Sequence, residues 1–321
     1  MIKTALHHMQ ATIDMASKSP HPTNKIAATI FGLTSDGKEF SLGRFNHWPN
    51  DIFNKIGTDK KIGNSSGTIH AETACILHSP HALEGASICI TEPFCPNCAK
   101  NIAEAGIKNI FLDEDGFDKD FFKRRGDHFD KMSMQIAQRA GMNVYALNML
   151  TKKHRVIYEA PLDYTPAEDS PIIAEPVETV NEATFNQVIE TASQTNKRRK
   201  FAIALVQSPW GENFALIARA HAVVGYSLHK PEEALELMTP RGKYSFIQEP
   251  VNRLTMYLVR KGHRLHPNYL YCSQVPTSRE QVNLIGGGIK RITIGDVQKC
   301  RDPQGIEAMA QLKRLDILDY S

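Results

Sequence analysis

The segment TIHAETACIL, residues 68–77, sets His70 and Glu72 two apart at the start of an apolar-periodic run. A second segment, ITEPFCPNCAK at 90–100, holds Cys95 and Cys98 with Pro96 and Asn97 between them. Both read as the mouth of a helix. Two thiolates so spaced at a helix start can share one Zn2+, because both sulfurs point past the open N-terminus, and that terminus also favours thiolate. His70 makes three protein ligands. A structural zinc takes a fourth, and no further cysteine or histidine stands at a suitable spacing. Three ligands and an open position are what a catalytic zinc needs, where the pKa of a water falls toward neutrality. Glu72 then has no need to bind metal; beside that water it takes a proton and passes it on. The other reading of Cys95-x-x-Cys98 is a redox dithiol, which would have no use for His70 and Glu72.

Composition bounds the rest. A chain of 321 residues exceeds the usual single domain, so two domains are expected. Charged residues at 23% and hydrophobic residues at 41% are ordinary for a soluble globular protein. No apolar run reaches the roughly 18 residues of a membrane span, and the N-terminus MIKTALHHMQ lacks a signal-peptide core, so a cytoplasmic protein is expected. Six cysteines are too few and too scattered for a disulfide framework. A net charge of +3 permits a phosphorylated ligand without demanding nucleic acid.

The chain also repeats itself. Residues 3–18 carry Leu6, Met9, Ile13 and Ala16 at helical spacing, ended by Ser19-Pro20. A hairpin turning at Asp36-Gly37 follows, then the His70 helix, a strand at 87–91, a helix from about 96 to 105, a strand at 109–112, a helix at about 118–140 and a strand at 142–149. Residues 158–180, with prolines and acids and no period, read as a linker. Then the order returns: a helix near 181–195, a hairpin with Gly211 where Gly37 stood, SFIQEPVNRL against TIHAETACIL, and a second GIK at 288–290 against 106–108. The period is roughly 175–180 residues, too long for a solenoid. The domains expected are 1–157 and 181–321. In this register Cys95 falls on Thr277, Cys98 on Glu280, His70 on Ile247 and Glu72 on Glu249, so the second copy is expected to be fold without metal.

HAE followed by PFCPNCAK resembles the zinc-dependent cytidine deaminase superfamily, whose signature is H-x-E and then P-C-x-x-C. The NCAK ending is most similar to the deoxycytidylate deaminase branch. The resemblance covers residues 1–150 by motif and 181–321 by fold. It implies a three-layer α/β/α domain around a five-stranded mixed sheet, duplicated in tandem. It also implies a hydrolase of amidine C–N bonds that acts on a cytosine nucleotide or nucleoside and expels ammonia. His70, Cys95 and Cys98 would hold the Zn2+, and Glu72 would carry the proton. The intact and degenerate pair also resembles long bacterial cytidine deaminases, and a homo-oligomer, a dimer, is expected. One departure stands out: Phe94 separates Pro93 from Cys95, which suits a ring lining the base pocket.

The resemblance further puts Asn46 at the substrate, and His47, Trp48, Ala71 and Phe94 are the other residues expected to bind it. Asn46 reads equally as a turn residue, and His47 and Trp48 are suited either to stack on a base or to pack their loop. The loop at 55–68, with Lys55, Lys60 and Lys61 among glycines and serines, suits a phosphate or plain solvent. Basic runs at 123–125 and 196–200 read mainly as solvated faces. A nucleic-acid-editing or purine deaminase with the same chemistry is the alternative, which wants a basic groove with aromatic platforms. A non-catalytic zinc or redox module is the other.

Overall fold

The computed structural model describes residues 1–124, 126–169, 171–196, 199–229 and 244–321. Of the two basic runs, Arg125, Lys197 and Arg198 lie outside these residues. Among the described residues no helix is long and apolar enough to cross a membrane, and all six cysteines are free.

The first repeat opens with α1 (Ile2–Ala16) and the hairpin of β1 (Ala27–Leu33) and β2 (Glu39–Phe45). The hairpin turns through Gly37 at φ 80°, a left-handed conformation that glycine adopts without strain, and Gly211 repeats it at φ 88°. After α2 (Asn50–Lys55) come α3 (Ala71–Leu77), β3 (Ser87–Ile90), α4 (Pro96–Glu104) and β4 (Asn109–Asp113). The single helix expected at 118–140 is broken up. It runs as a 3-10 turn at Glu114–Asp118, α5 (Asp120–Lys123), α6 (Gly126–His128), a π turn at Phe129–Ser133 and α7 (Met134–Arg139). Then β5 (Asn143–Asn148) and β6 (Lys153–Tyr158) close a sheet of order β2-β1-β3-β4-β5-β6.

The sheet is six-stranded, where five strands were expected. The extra strand β6 is mostly exposed and pairs antiparallel with β5, so it carries no alternating apolar signal. Strands β3, β4 and β5 are parallel to one another and nearly fully buried, as strands covered on both faces must be. Phe31, Cys89, Phe111, Tyr145 and Leu147 pack under Ala5 and Met9 of α1. Their alternating neighbours Ile30, Ile88, Ile110 and Val144 are buried on the opposite face.

The second repeat builds a sheet of the same plan. Its elements are β7 (Ile172–Pro176), α8 (Glu182–Thr195), β8 (Phe201–Gln207) and β9 (Asn213–Arg219), then a short ladder of β10 (His221–Ala222) with β11 (Ile247–Gln248). After it come α9 (Pro250–Lys261), β12 (Arg264–Gln274), α10 (Ser278–Gly286), β13 (Arg291–Asp296), α11 (Gln304–Arg314) and β14 (Asp319–Tyr320). The order is β14-β13-β12-β8-β9-β7. Its run β9-β8-β12-β13-β14 reproduces β2-β1-β3-β4-β5, with antiparallel pairs in the hairpin half and parallel pairs beyond it. The stretch expected as a linker carries β7, an edge strand on β9 bounded by Pro171 and Pro176. Proline is tolerated at such an edge, which is why the prolines mask the strand in the sequence.

Compactness divides the chain differently from the expected 1–157, 158–180 and 181–321. One unit is Met1–His47, His70–Asp169 and Ala222–Ile247; the other is Trp48–Ile69, Ser170–His221 and Gln248–Ser321. The two short pieces are equivalent, each joining the second hairpin strand to the next helix. Their side chains explain the assignment. Trp48, Ile52, Ile56 and Ile62 share one core with Val206, Leu216, Leu254 and Leu284. Lys55 donates to the carbonyls of Leu315 (3.0 Å) and Asp316 (2.6 Å), and Asp51 pairs with Lys290. Each repeat therefore contributes one connection to the other's compact unit. Ile62→Ala, a change in the first repeat, is expected to cost about 2–5 kcal/mol. Hydrogen exchange should show the lost protection in β8, β9 and β12; a loss confined to β1–β5 contradicts this assignment.

Candidate active site

His70 is the N-cap of α3 and Cys95 the N-cap of α4, both in extended backbone. Pro96 opens α4, at a position where a missing N–H is harmless and φ is already helical. The two helix mouths meet. His70 Nδ1 lies 3.2 Å from Cys98 Sγ and 3.6 Å from Cys95 Sγ. Among the described residues this is the one histidine, cysteine and carboxylate group of three or more whose ligand atoms lie within 4.8 Å of one another. Tetrahedral Zn2+ with ordinary Zn–S and Zn–N bonds needs sulfur and nitrogen donors roughly 3.5 Å apart, so the donor set fits the ion that its residue types imply. Cys98 shares a hydrogen bond with Cys95 and, with His70 helping, holds the Cys95 thiol well below its ordinary value against the effect of burial. Cys98 is in turn held well above its ordinary value, first by its hydrogen bond with Cys95 and then by burial. Thr73 Oγ1 lies 4.0 Å from Cys98 Sγ and accepts a hydrogen bond from Asn101 Nδ2 at 3.1 Å, which ties α3 to α4 behind the sulfurs.

Glu72, in the first turn of α3, is buried, and that burial pushes its carboxyl pKa up while His70 opposes the shift. In front of Cys95 lies a small pocket lined by Pro93, Phe94, Cys95, Phe122, His128, Phe129 and Tyr244. Its free space is about 20 Å³, room for about one water, so anything larger would have to displace side chains. Phe94, the residue inserted before Cys95, is 1% exposed and meets Phe129 edge-on at 5.3 Å. The sequence reading found Phe94 but missed Phe122, His128, Phe129 and Tyr244. The first three were hidden inside a supposed continuous helix, and Tyr244 stands in the second repeat with no local signal.

The other expected substrate residues are placed as follows. Asn46 is buried and its amide holds the loop before β1: Oδ1 accepts from Ser19 Oγ (2.8 Å) and the Ile26 N–H (3.0 Å), and Nδ2 donates to the Asn24 carbonyl (2.8 Å). His47 Nδ1 lies 2.9 Å from the Phe45 carbonyl, which makes Nδ1 the protonated nitrogen, and burial lowers its pKa. Ala71 is fully buried behind His70. Trp48 and the 55–68 loop belong to the other compact unit, where Trp48 is a core residue and Lys55 serves as a helix-end donor.

The second repeat keeps the helix mouths and changes the donors. Thr277 is the N-cap of α10, matching Cys95, and Glu280 matches Cys98. Glu249 is the N-cap of α9 and so stands at the position of His70. The sequence register had set Glu249 against Glu72. Aligned by helix starts, Glu72 is matched by Val251 instead. Lys200, the residue before β8, reaches into this place: its Nζ lies 3.0 Å from Glu249 Oε2 and 3.1 Å from Glu280 Oε2, and Arg301 also pairs with Glu249. Burial alone would lower the Lys200 pKa, but the two carboxylates hold its ammonium well above the ordinary value. For Glu249 burial acts upward, yet Lys200 and Arg301 outweigh it and hold the carboxyl at about 2.

No family model matches the chain. It is 31% identical over 142 residues to a protein of Aliivibrio fischeri described as an uncharacterized deaminase in the luxG 3′ region; the match spans 44% of this chain and 92% of that one. The chain belongs to this deaminase family. Similar solved structures include the dCMP deaminase of cyanophage S-TIM5 in apo form, at 19% identity and a TM-score of 0.31, covering 45% of this chain and 98% of that one. The same enzyme in complex with dCMP and dUMP gives 17% identity and a TM-score of 0.32, covering 45% and 97%.

The deaminase thus carries, at the helix mouths of its second repeat, an ammonium ion pair in place of the histidine and cysteines of the first. Lys200→Met leaves two buried carboxylates short of a cation and is expected to cost about 3–5 kcal/mol at neutral pH. The folded pKa of Glu249 lies below its ordinary 4.5, so its stabilisation is complete above about pH 4.5 and is lost as pH falls through about 2. The stability gap between wild type and variant, measured by denaturant unfolding, should narrow across that window. A variant as stable as wild type at pH 7 contradicts the ion-pair role.

Proposed function

We propose that this deaminase is zinc-dependent and hydrolytic, and that it converts the cytosine ring of a nucleotide or nucleoside to uracil with release of ammonia. The observation that carries this reading is the meeting of one imidazole and two thiols beside a buried glutamate that is not among them. The H-x-E and C-x-x-C spacing and the ring-lined pocket support a flat amino-substituted heterocycle as substrate.

His70, Cys95 and Cys98 would hold Zn2+. The ion would supply Lewis acidity and a water acidic enough to react at neutral pH. Glu72 supplies the proton traffic. Its buried carboxyl would bind the proton that the water gives up and hand it on, to a ring nitrogen and then to the departing amine. One water is consumed, the C–N bond to the amino group breaks, a C=O replaces it, and ammonia leaves. Phe94, Phe129 and their neighbours exclude bulk water and orient the ring. The N-terminus of α4 favours thiolate at Cys95.

Ammonia release from purified protein offered cytidine, deoxycytidine, their monophosphates, adenosine, guanine and single-stranded DNA tests the substrate. The result expected is turnover of a cytosine monomer, and turnover of DNA or a purine alone overturns that choice. Glu72→Ala should keep its metal and lose about two to four orders of magnitude in kcat. Normal turnover by that variant removes Glu72 from its role. A metal-free protein with a reversible Cys95–Cys98 disulfide makes the site a redox dithiol instead.

A further inference from the structure

We propose that Tyr244, carried by the second repeat, is a substrate-contacting residue of the first repeat's pocket, and that this contribution is a function of the metal-free repeat. The inference rests on the deaminase reading of the same site. Tyr244 lines the pocket in front of Cys95, is 4% exposed, and meets His128 edge-on with ring centroids 5.0 Å apart. His128 and Phe122 are the more open members of the lining, while Phe94, Phe129 and Tyr244 are buried. A flat ring admitted past the open pair therefore meets Tyr244 as part of its aromatic surround.

The segment that follows Tyr244 is tied to the helix of the cysteines. Lys100, two residues after Cys98 on α4, donates a buried hydrogen bond of 2.8 Å to the carbonyl of Ile247, three residues beyond Tyr244. Glu104, the last residue of α4, accepts from the N–H of Val224 at 3.3 Å, at the other described end of the same piece. The two ends are joined by the Val223 N–H donating to the Phe246 carbonyl at 3.0 Å and by Tyr226 packing on Phe246 at 5.0 Å. Asp169 accepts from Ser227 Oγ at 2.7 Å and from the Leu228 N–H at 2.8 Å, which adds a third fastening. The helix that presents Cys95 and Cys98 at its mouth thus holds the piece that carries Tyr244. This piece, Ala222–Ile247, belongs to the compact unit of the active site.

The chemistry points to ring contact. Phe94, Phe122, Phe129 and Tyr244 offer faces and edges that suit an amino-heteroaromatic ring, and a phenol ring adds such a contact at low entropic cost. Loss of the ring should weaken substrate capture more than the chemical step, because the metal ligands and Glu72 are untouched.

Steady-state kinetics on the best substrate of the ammonia-release panel test this, with zinc content measured alongside. Tyr244→Ala is expected to raise KM by about tenfold or more while kcat changes by less than about threefold, with zinc content as in wild type. Tyr244→Phe should return KM to within about threefold of wild type, and Tyr244→Leu, which keeps bulk without an aromatic face, should behave like the alanine variant. Should the alanine variant fail to fold, the leucine variant decides. An active wild type whose leucine variant matches it in KM overturns this inference alone. A wild type that releases ammonia from none of the compounds overturns the deaminase reading and this inference with it.

Discussion

Two helix N-termini facing one another are the constraint from which the rest follows. An N-terminus carries partial positive charge and unsatisfied N–H groups, so it favours anionic side chains at its mouth. Thiolates or carboxylates gathered at such mouths then call for a cation beside them. In the first repeat the mouths carry His70, Cys95 and Cys98, a donor set that could hold a metal ion. In the second they carry Glu249 and Glu280, and the chain supplies the cation itself as the Lys200 ammonium. One scaffold thus solves the same electrostatic problem once with residues suited to a metal and once with a side chain.

The scaffold explains why the problem recurs. Both sheets place an antiparallel hairpin beside parallel strands in the same order, and in both the two helices follow corresponding strands. The connection between the hairpin and the first of these helices is the part exchanged between compact units. Apolar residues decide the exchange on one side, with Trp48, Ile52 and Ile62 in a core. Hydrogen bonds from the middle and the last residue of α4 decide it on the other.

Much of this was legible in the sequence, and the parts that were not share a cause. His70, Glu72, Cys95 and Cys98 could be found because their chemistry is dense and locally spaced. The hairpins showed through Gly37 and Gly211, and the repeat through its shared order of elements. Strand β6 was missed because an exposed edge needs no apolar alternation, and β7 because Pro171 and Pro176 look like a linker. The stretch expected as one helix at 118–140 runs instead as short helical pieces. Helix starts, not residue identity, set the correct register at Glu249. Tyr244 was invisible because nothing local marks a residue whose partners lie more than a hundred positions away.

The central claim is that the first repeat binds one metal ion and the second none. Elemental analysis of the purified chain, paired with X-ray absorption at the metal edge, measures this directly. The expected result is one zinc per chain bound by two sulfurs and one nitrogen, lost on Cys98→Ala and unaffected by Lys200→Met in any chain that remains folded. Two zinc ions per chain, or none in protein prepared with zinc, would contradict it.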